Sequence, residues 1–408
     1  MLQTYGLKGR DVDSLDVKLM LVTEGVNVAA EELTAQFGKT HRCNLTDPFA
    51  TDEIALPDGI AIYVHHNPAS RFRLRLGGSG KACLACDGEL ITEVEFPPYT
   101  DYYQRRSSRG RRFAEFSVIV GTDNLTFPFL WPCDVAVSAG GACRFCYPGR
   151  MAEQRARGEK PAASFGGIQE GASRDGIAGY PMTLPEPQEV AEAVDYVFNV
   201  EKLGRTITIT GGTQREFATE GGHARAVLEA MDEVAGLDNV AGEVLLYSSP
   251  PKRPEEIDPL FEAGVDRVAM DLEVWDPDLF RRVCPGKSTF HNREDILKAL
   301  DYVVARYGPW QGCTTFIAGA EPLESWLEGV EEVASRGIVP LYPILNHQNP
   351  MMEEFGLRPG LDYYRRALEK YAEVYRKYGI RSPNQGHWGP CACGECGPRH
   401  EEILQGVH

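Results

Sequence analysis

From about residue 187 to 345 the chain alternates short apolar runs with helix-length segments, and this rhythm constrains the fold more than any other feature. PQEVAEAVDYVFNVEK places Val190, Val194, Val197 and Phe198 on one helical stripe. TITIT (206–210) reads as a strand and runs straight into Gly211-Gly212-Thr213, followed by a helix around 222–235. The strands EVLLYSS (243–249), DRVAMDLEV (266–274), GCTTFIAG (312–319) and IVPLYPIL (338–345) follow in turn, each preceded by a helical segment. A last helix carries Leu361, Tyr364, Leu368, Tyr371, Tyr375 and Tyr378 and is closed by Gly379. Repeats of this kind pair as a parallel sheet, because each helix returns the chain across the sheet in a right-handed crossover. Reacting groups in such sheets gather beyond the C-terminal ends of the strands, so the residues just after each run are the candidates for chemistry.

Residues 1–125 read as a β-rich N-terminal domain. VKLMLV (17–22), IAIYV (60–64), RFRLRL (71–76), ITEVEF (91–96) and AEFSVIV (114–120) are short β-branched or alternating runs separated by turn signals such as PDG and GGSG. The repeating region, 126–350, forms the second domain, and 351–408 contains the last helix and a cysteine-rich tail. A Gly/Ala-rich stretch from about 155 to 183 has no periodicity and reads as a long loop.

The formal charge of −17 repels phosphate backbones and disfavours nucleic acid as the main partner. No run of about 18 apolar residues suggests a membrane span. The start, MLQTYGLKGRDVDSLD, lacks the basic and apolar regions of a secretory signal, so a cytoplasmic location is expected. Against that background the eleven cysteines read as metal ligands or reduced thiols rather than as a disulfide framework. Eight of them fall into three groups: Cys83 and Cys86; Cys133, Cys143 and Cys146; and Cys391, Cys393 and Cys396.

The middle group has the spacing C-x9-C-x2-C and is followed at once by Tyr147. Three thiolates hold three irons of a 4Fe-4S cluster and leave the fourth open to a ligand. A part of a zinc site is the plainer reading of a bare trio. With the strand–helix repeat behind the trio and GGT at the end of the next strand, the combination resembles the radical S-adenosylmethionine (radical SAM) superfamily over roughly residues 125–350. The segment AGVDRVAMDLEVWDPDLFRRVCPGK is similar to the biotin-synthase and hydrogenase-maturase branch. The commonest family spacing is C-x3-C-x2-C, whereas a nine-residue gap occurs in the elongator catalytic-subunit branch.

The resemblance implies an α/β fold, a partial (β/α)6 TIM barrel, in which Cys133, Cys143 and Cys146 bind the cluster. The open iron would chelate S-adenosylmethionine, whose reductive cleavage gives a 5′-deoxyadenosyl radical that abstracts hydrogen from a small-molecule substrate. The backbone around Tyr147 would meet the adenine, and Gly211, Gly212 and Thr213 the amino group. Glu273 would contact the ribose or amino group, and Arg281 or Arg282 would pair with the carboxylate. Ser248 and Ser249 end another strand at the same rim, and Ile344 would pack on the adenine. A low-potential electron donor such as flavodoxin or ferredoxin is the implied partner.

The outer cysteines leave two readings open. Cys391, Cys393 and Cys396 would hold an auxiliary Fe-S cluster, or two of them would join Cys83 and Cys86, in a knuckle-like turn, around a structural zinc. Cys284 and Cys313 read as small core residues. The run Arg105, Arg106, Arg109, Arg111 and Arg112 reads first as a solvated loop and second as a grip for an anionic substrate. Two rival functions remain at this level: a tRNA-modifying radical SAM enzyme and a zinc-organised, non-catalytic binding module.

Overall fold

The structure, a computed structural model, describes residues 2–37, 53–64, 67–96, 100–120, 123–127, 130–136, 140–146, 184–345 and 349–381. Tyr147, the 155–183 stretch, Cys43, and the Cys391, Cys393 and Cys396 group lie outside the described residues.

At the N-terminus, β1 (Thr4–Leu7) and β2 (Arg10–Asp13) form a hairpin that leads into α1 (Ser14–Glu24). The expected strand at 17–22 is therefore wrong: these residues are the middle of α1. Asp13 caps the helix by accepting from the Asp16 N–H, Asp16 returns the bond to the Asp13 N–H, and Gly25 ends the helix. A continuous apolar run is buried on every side in either structure, so periodicity alone does not separate the two; the caps do.

β3 (Asn27–Val28) and α2 (Ala30–Phe37) follow, and a second small hairpin joins β4 (Glu53–Ala55) to β5 (Ala61–Tyr63). β6 (Phe72–Leu76), β7 (Ala82–Cys86) and β8 (Glu89–Glu93) complete a four-stranded sheet in the order β3-β6-β7-β8. Alternation in β6 buries Phe72 and Leu74 and exposes Arg73, as its sequence requires.

The larger sheet runs β9 (Val118–Val120), β10 (Asn124–Phe127), β11 (Thr206–Ile209), β12 (Val244–Tyr247), β13 (Arg267–Ala269), β14 (Gly312–Thr315) and β15 (Val339–Leu341), in chain order from edge to edge. β10 to β15 are mutually parallel, and β9 is an antiparallel edge strand. Every residue of β11 and β14 is buried, the mark of a parallel sheet covered on both faces. Between the strands lie α3 (Pro187–Asp195), α4 (Phe217–Ala235), α5 (Asp258–Glu262), α6 (Pro277–Val283), α7 (Arg293–Tyr307) and α8 (Leu323–Ser335).

After β15 come α9 (Pro350–Glu354) and α10 (Leu361–Tyr378), the latter ended by Gly379 in the left-handed conformation. The hydroxyls of Tyr371 and Tyr375 both donate to the Pro340 carbonyl of β15. α10 thereby meets a polar group of the sheet's edge strand with two buried donors.

Candidate active site

The cysteine loop enters the rim of the sheet immediately after β10 and is tied to the segment that follows β11. Leu130 N–H donates to Thr210 O (2.9 Å), Gly212 N–H to Trp131 O (3.0 Å), and Asp134 N–H to Thr213 O (3.0 Å). The Trp131 indole N–H returns a bond to Gly212 O at 3.0 Å, and the Gln214 side chain donates to Pro132 O. Such close apposition leaves no room for side chains. A Cβ on Gly211 would sit 2.0 Å from the Trp131 ring, and one on Gly212 would sit 2.3 Å from the Cys133 Cα. The paired glycines thus admit the chain's own Trp131 and Cys133, which fixes where the first thiol stands.

Cys143 and Cys146 lie in one tight turn, with Cys146 N–H donating to Cys143 O at 3.0 Å. The three thiols of the middle group are half-buried. Burial, helped by neighbouring Cys143, pushes the Cys133 thiol up to about 11. The Cys143 thiol is raised first by its hydrogen bond with Cys284 and then by burial. Among the described residues, no three Cys, His, Asp or Glu side chains converge closely enough to ligate one ion. Cys133 is anchored beside Gly212, and Cys143 and Cys146 share one tight turn. Three sulfurs of this kind suit a thiophilic iron cluster, and the Gly212 cradle anchors the segment that carries the first of them.

β13 delivers the other polar centre. Glu273 has a positive φ of 65°, and its side chain is buried against Lys287, with Nζ to Oε1 at 3.2 Å. Lys287 also donates to the Asp271 carbonyl oxygen at 2.6 Å, while the Asp271 carboxylate accepts from Thr315 N–H at 3.1 Å. Burial drives the Glu273 carboxyl upward against the pull of the Lys287 ammonium. Burial alone would lower Lys287, but Glu273 and Asp271 outweigh it and keep the amine charged. The short contact and the upward shift of the Lys287 amine support a buried ion pair, which the burial of the Glu273 carboxyl opposes.

The other expected contacts are spread along the same rim. Ser248 is half-buried, with its N–H bonded to Ala269 O, and Ile344 is fully buried in a parallel bridge with Ala318. Arg281 and Arg282 are not brought to this centre: both are exposed on α6, Arg281 paired with Asp278 and Arg282 over the Phe355 ring at 5.0 Å. Cys83 and Cys86 do not form a knuckle. They lie within β7, whose ladder to β6 is regular, so residues three apart point to opposite faces. The arginine run is a loop knitted to α3: Arg109 meets Glu186 at 3.1 Å, Arg111 meets Glu189 at 3.7 Å, and Arg105 bonds the Tyr196 hydroxyl at 2.9 Å.

Sequence reading missed two residues beside Gln214. Glu220, on α4, accepts from Ser249 N–H at 2.7 Å through Oε1, and burial raises it to about 6. His291 is buried with Nε2 unpartnered, and burial lowers it to about 4. A polar residue in the first turn after a strand-end glycine pair was the available signal for Glu220; nothing local marked His291.

Residues 140–349, just over half of the chain, match the family described as the Radical SAM superfamily. The chain belongs to the radical SAM superfamily. It is an enzyme of that superfamily, which removes the non-catalytic zinc module as a reading. Cys143 and Cys146 lie inside the matched span, and Cys133 lies seven residues before it. A curated relative, the bacteriochlorophyllide c C-7(1)-hydroxylase of Chlorobaculum limnaeum, is 27% identical over 383 residues, covering 90% of this chain and 86% of that protein. Among solved structures, a radical SAM methyltransferase from Sphaerobacter thermophilus aligns over 80% of this chain and 82% of its own at 16% identity, with a TM-score of 0.39. Streptococcus suis SuiB bound to S-adenosylmethionine aligns over 50% of this chain and 42% of its own at 10% identity, with a TM-score of 0.36. Radical SAM enzymes use S-adenosylmethionine and a 4Fe-4S cluster, and these are the cofactors of this chain.

Proposed function

We propose that this enzyme takes a hydrogen atom from an unactivated C–H bond of a modest-sized organic substrate, that the carbon radical gives up one electron to an electron carrier, and that water adds its oxygen and loses a proton, leaving that carbon hydroxylated. Superfamily membership carries the radical step. The hydroxylation reading is supported by the Chlorobaculum limnaeum relative, whose likeness extends over 90% of this chain and so beyond residues 140–349. A tetrapyrrole of the kind named for that relative is the first substrate to test. In this reading Cys133, Cys143 and Cys146 hold the cluster, and a low-potential carrier such as flavodoxin or ferredoxin supplies its electron. When bound, the cluster supplies the electron that cleaves S-adenosylmethionine to a 5′-deoxyadenosyl radical.

The chain's own residues bind, orient and exclude water. Gly211, Gly212, Thr213, Ser248, Glu273 and Ile344 are assigned to the S-adenosylmethionine side of the rim, with Tyr147 beside the last cysteine. Lys287 holds the Glu273 carboxylate in one orientation, so it meets a ligand's donors without first reorganising. Trp131, fully buried, closes the floor beside Cys133 and keeps water from that side of the thiols.

The deciding experiment is anaerobic reconstitution with iron and sulfide, then assay with S-adenosylmethionine and a strong reductant. Wild type forms 5′-deoxyadenosine, and a variant with Cys133, Cys143 and Cys146 replaced by alanine forms none. Formation at the wild-type rate in that variant would overturn the cluster assignment. With a bacteriochlorophyllide added, a product heavier by one oxygen supports the substrate class; 5′-deoxyadenosine without any change in the macrocycle rejects it.

A further inference from the structure

Glu220 and His291 are only 2% and 8% exposed, yet Glu220 Oε2 and His291 Nε2 meet no hydrogen-bond partner among the described residues. Glu220 stands in the first turn of α4, and Ser249 N–H donates to its Oε1 at 2.7 Å, tying the carboxylate to the chain just beyond β12. His291 closes the short turn after α6, its N–H donating to Lys287 O at 3.0 Å. In that turn Lys287 reaches Glu273 beyond β13, and Phe290 lies under the Arg215 guanidinium at 5.5 Å, in the segment after β11. Because β12 lies between β11 and β13, the turn passes over the β12 end, where Glu220 is tied. Buried polar atoms are nearly always hydrogen-bonded, so two left open at a strand-end rim mark a place for a polar ligand.

We propose that Glu220 is the general base of the hydroxylation, taking the proton of the water that adds to the substrate carbon, with His291 Nε2 as that water's second contact. The assignment rests on the hydroxylation reading and gives its released proton a destination. Once the substrate carbon has passed its electron to the carrier, the water oxygen forms the new C–O bond. One O–H bond breaks, its electron pair stays on oxygen, and the proton moves to Glu220 Oε2. Ser249 holds the other carboxylate oxygen, so the accepting atom is set in place beforehand. Burial brings the carboxyl to about 6, close enough to neutral pH for it to be ionised and still to hold a proton well.

The test uses full-length protein reconstituted anaerobically and given S-adenosylmethionine, a strong reductant and a bacteriochlorophyllide, with 5′-deoxyadenosine and oxygenated macrocycle both quantified. In Glu220→Gln the amide oxygen still accepts from Ser249 N–H but takes no proton. The 5′-deoxyadenosine formed per oxygenated macrocycle should then rise at least about tenfold, since a lost general base costs about 100-fold or more in its own step. Glu220→Met, which keeps the length without a base, should do the same and serves if the glutamine variant fails to fold. A smaller rise in the folded variant overturns the proposal, whether the product persists or both quantities fall together. His291→Leu should raise the same ratio, and an unchanged ratio there overturns the part given to His291. Wild type that forms 5′-deoxyadenosine and leaves the macrocycle unaltered would instead overturn the hydroxylation reading itself.

Discussion

Glu273 combines two costs that a fold rarely accepts together: a left-handed backbone in a non-glycine residue and a buried carboxylate. Both are offset locally. The backbone is held by Glu273 N–H to Thr315 O and Ile317 N–H to Glu273 O, each 2.8 Å, and the side chain is held by Lys287. Removing one member of a buried pair leaves the other charged and dry, so Lys287→Met should cost about 3–5 kcal/mol in urea unfolding. A loss well under this range would show that water reaches Glu273. Glu220 supports a pH prediction whose sign follows from burial. Its folded pKa of about 6 exceeds the ordinary 4.5, so the folded state binds that proton more tightly. This contribution is fully present below about pH 4.5 and is lost as pH rises through about 6, a swing of about 2 kcal/mol. Glu220→Gln should therefore gain on wild type between pH 4.5 and pH 7 in urea unfolding. A difference that stays flat across this window would contradict the burial argument.

At the scale of elements, β11 and the loop it receives show how a strand end becomes a site. Thr210 to Gln214 lie so close to Leu130–Asp134 that Gly212→Ala must displace the Cys133 backbone. The variant should retain the sheet, since Gly212 lies beyond the end of β11, yet load less iron than wild type in metal counting. Normal loading would mean the loop moves aside at little cost. The legibility of each element follows from the same physics. β11 to β15 and their helices are readable because a buried parallel strand is a short β-branched or apolar run bounded by glycine and charge. GGT and the trio are readable as a rim, because strand ends collect there. The 17–22 run misleads because its apolar stretch carries no period and the Asp13–Asp16 cap lies outside it. The CLAC run misleads because two cysteines three apart resemble a knuckle only if the chain turns, and in β7 it stays extended, paired in regular register with β6. The approach of the segment after α6 to the cysteine loop was unreadable, since it depends on backbone bonds between residues more than a hundred apart in sequence.

Across the whole molecule, the N-terminal helix and the C-terminal helix are clasped by one side chain. Arg365 of α10 reaches Asp13 at 3.0 Å and Asp16 at 3.4 Å at the start of α1, and Glu369 of its own helix at 3.3 Å. The contact is partly buried, and burial together with Asp13 raises the Asp16 carboxyl while Arg365 opposes the rise. The guanidinium thus serves two purposes. It joins elements about 350 residues apart in sequence, and it relieves repulsion between two carboxylates that must sit together to cap α1. Arg365→Ala should lower stability by about 1.5–3 kcal/mol, the range for hydrogen bonds to charged groups. Adding Asp16→Asn should recover part of that loss by removing one of the repelling charges, and the double-mutant cycle measures how much of the clasp is this pair. If α1 and α10 are one cooperative unit, Arg365→Ala shifts the unfolding of the sheet and of the N-terminal helix together. Separate transitions in wild type, with only the N-terminal one moved by the substitution, would show that the clasp stabilises its own corner and not the scaffold that carries the cysteine rim.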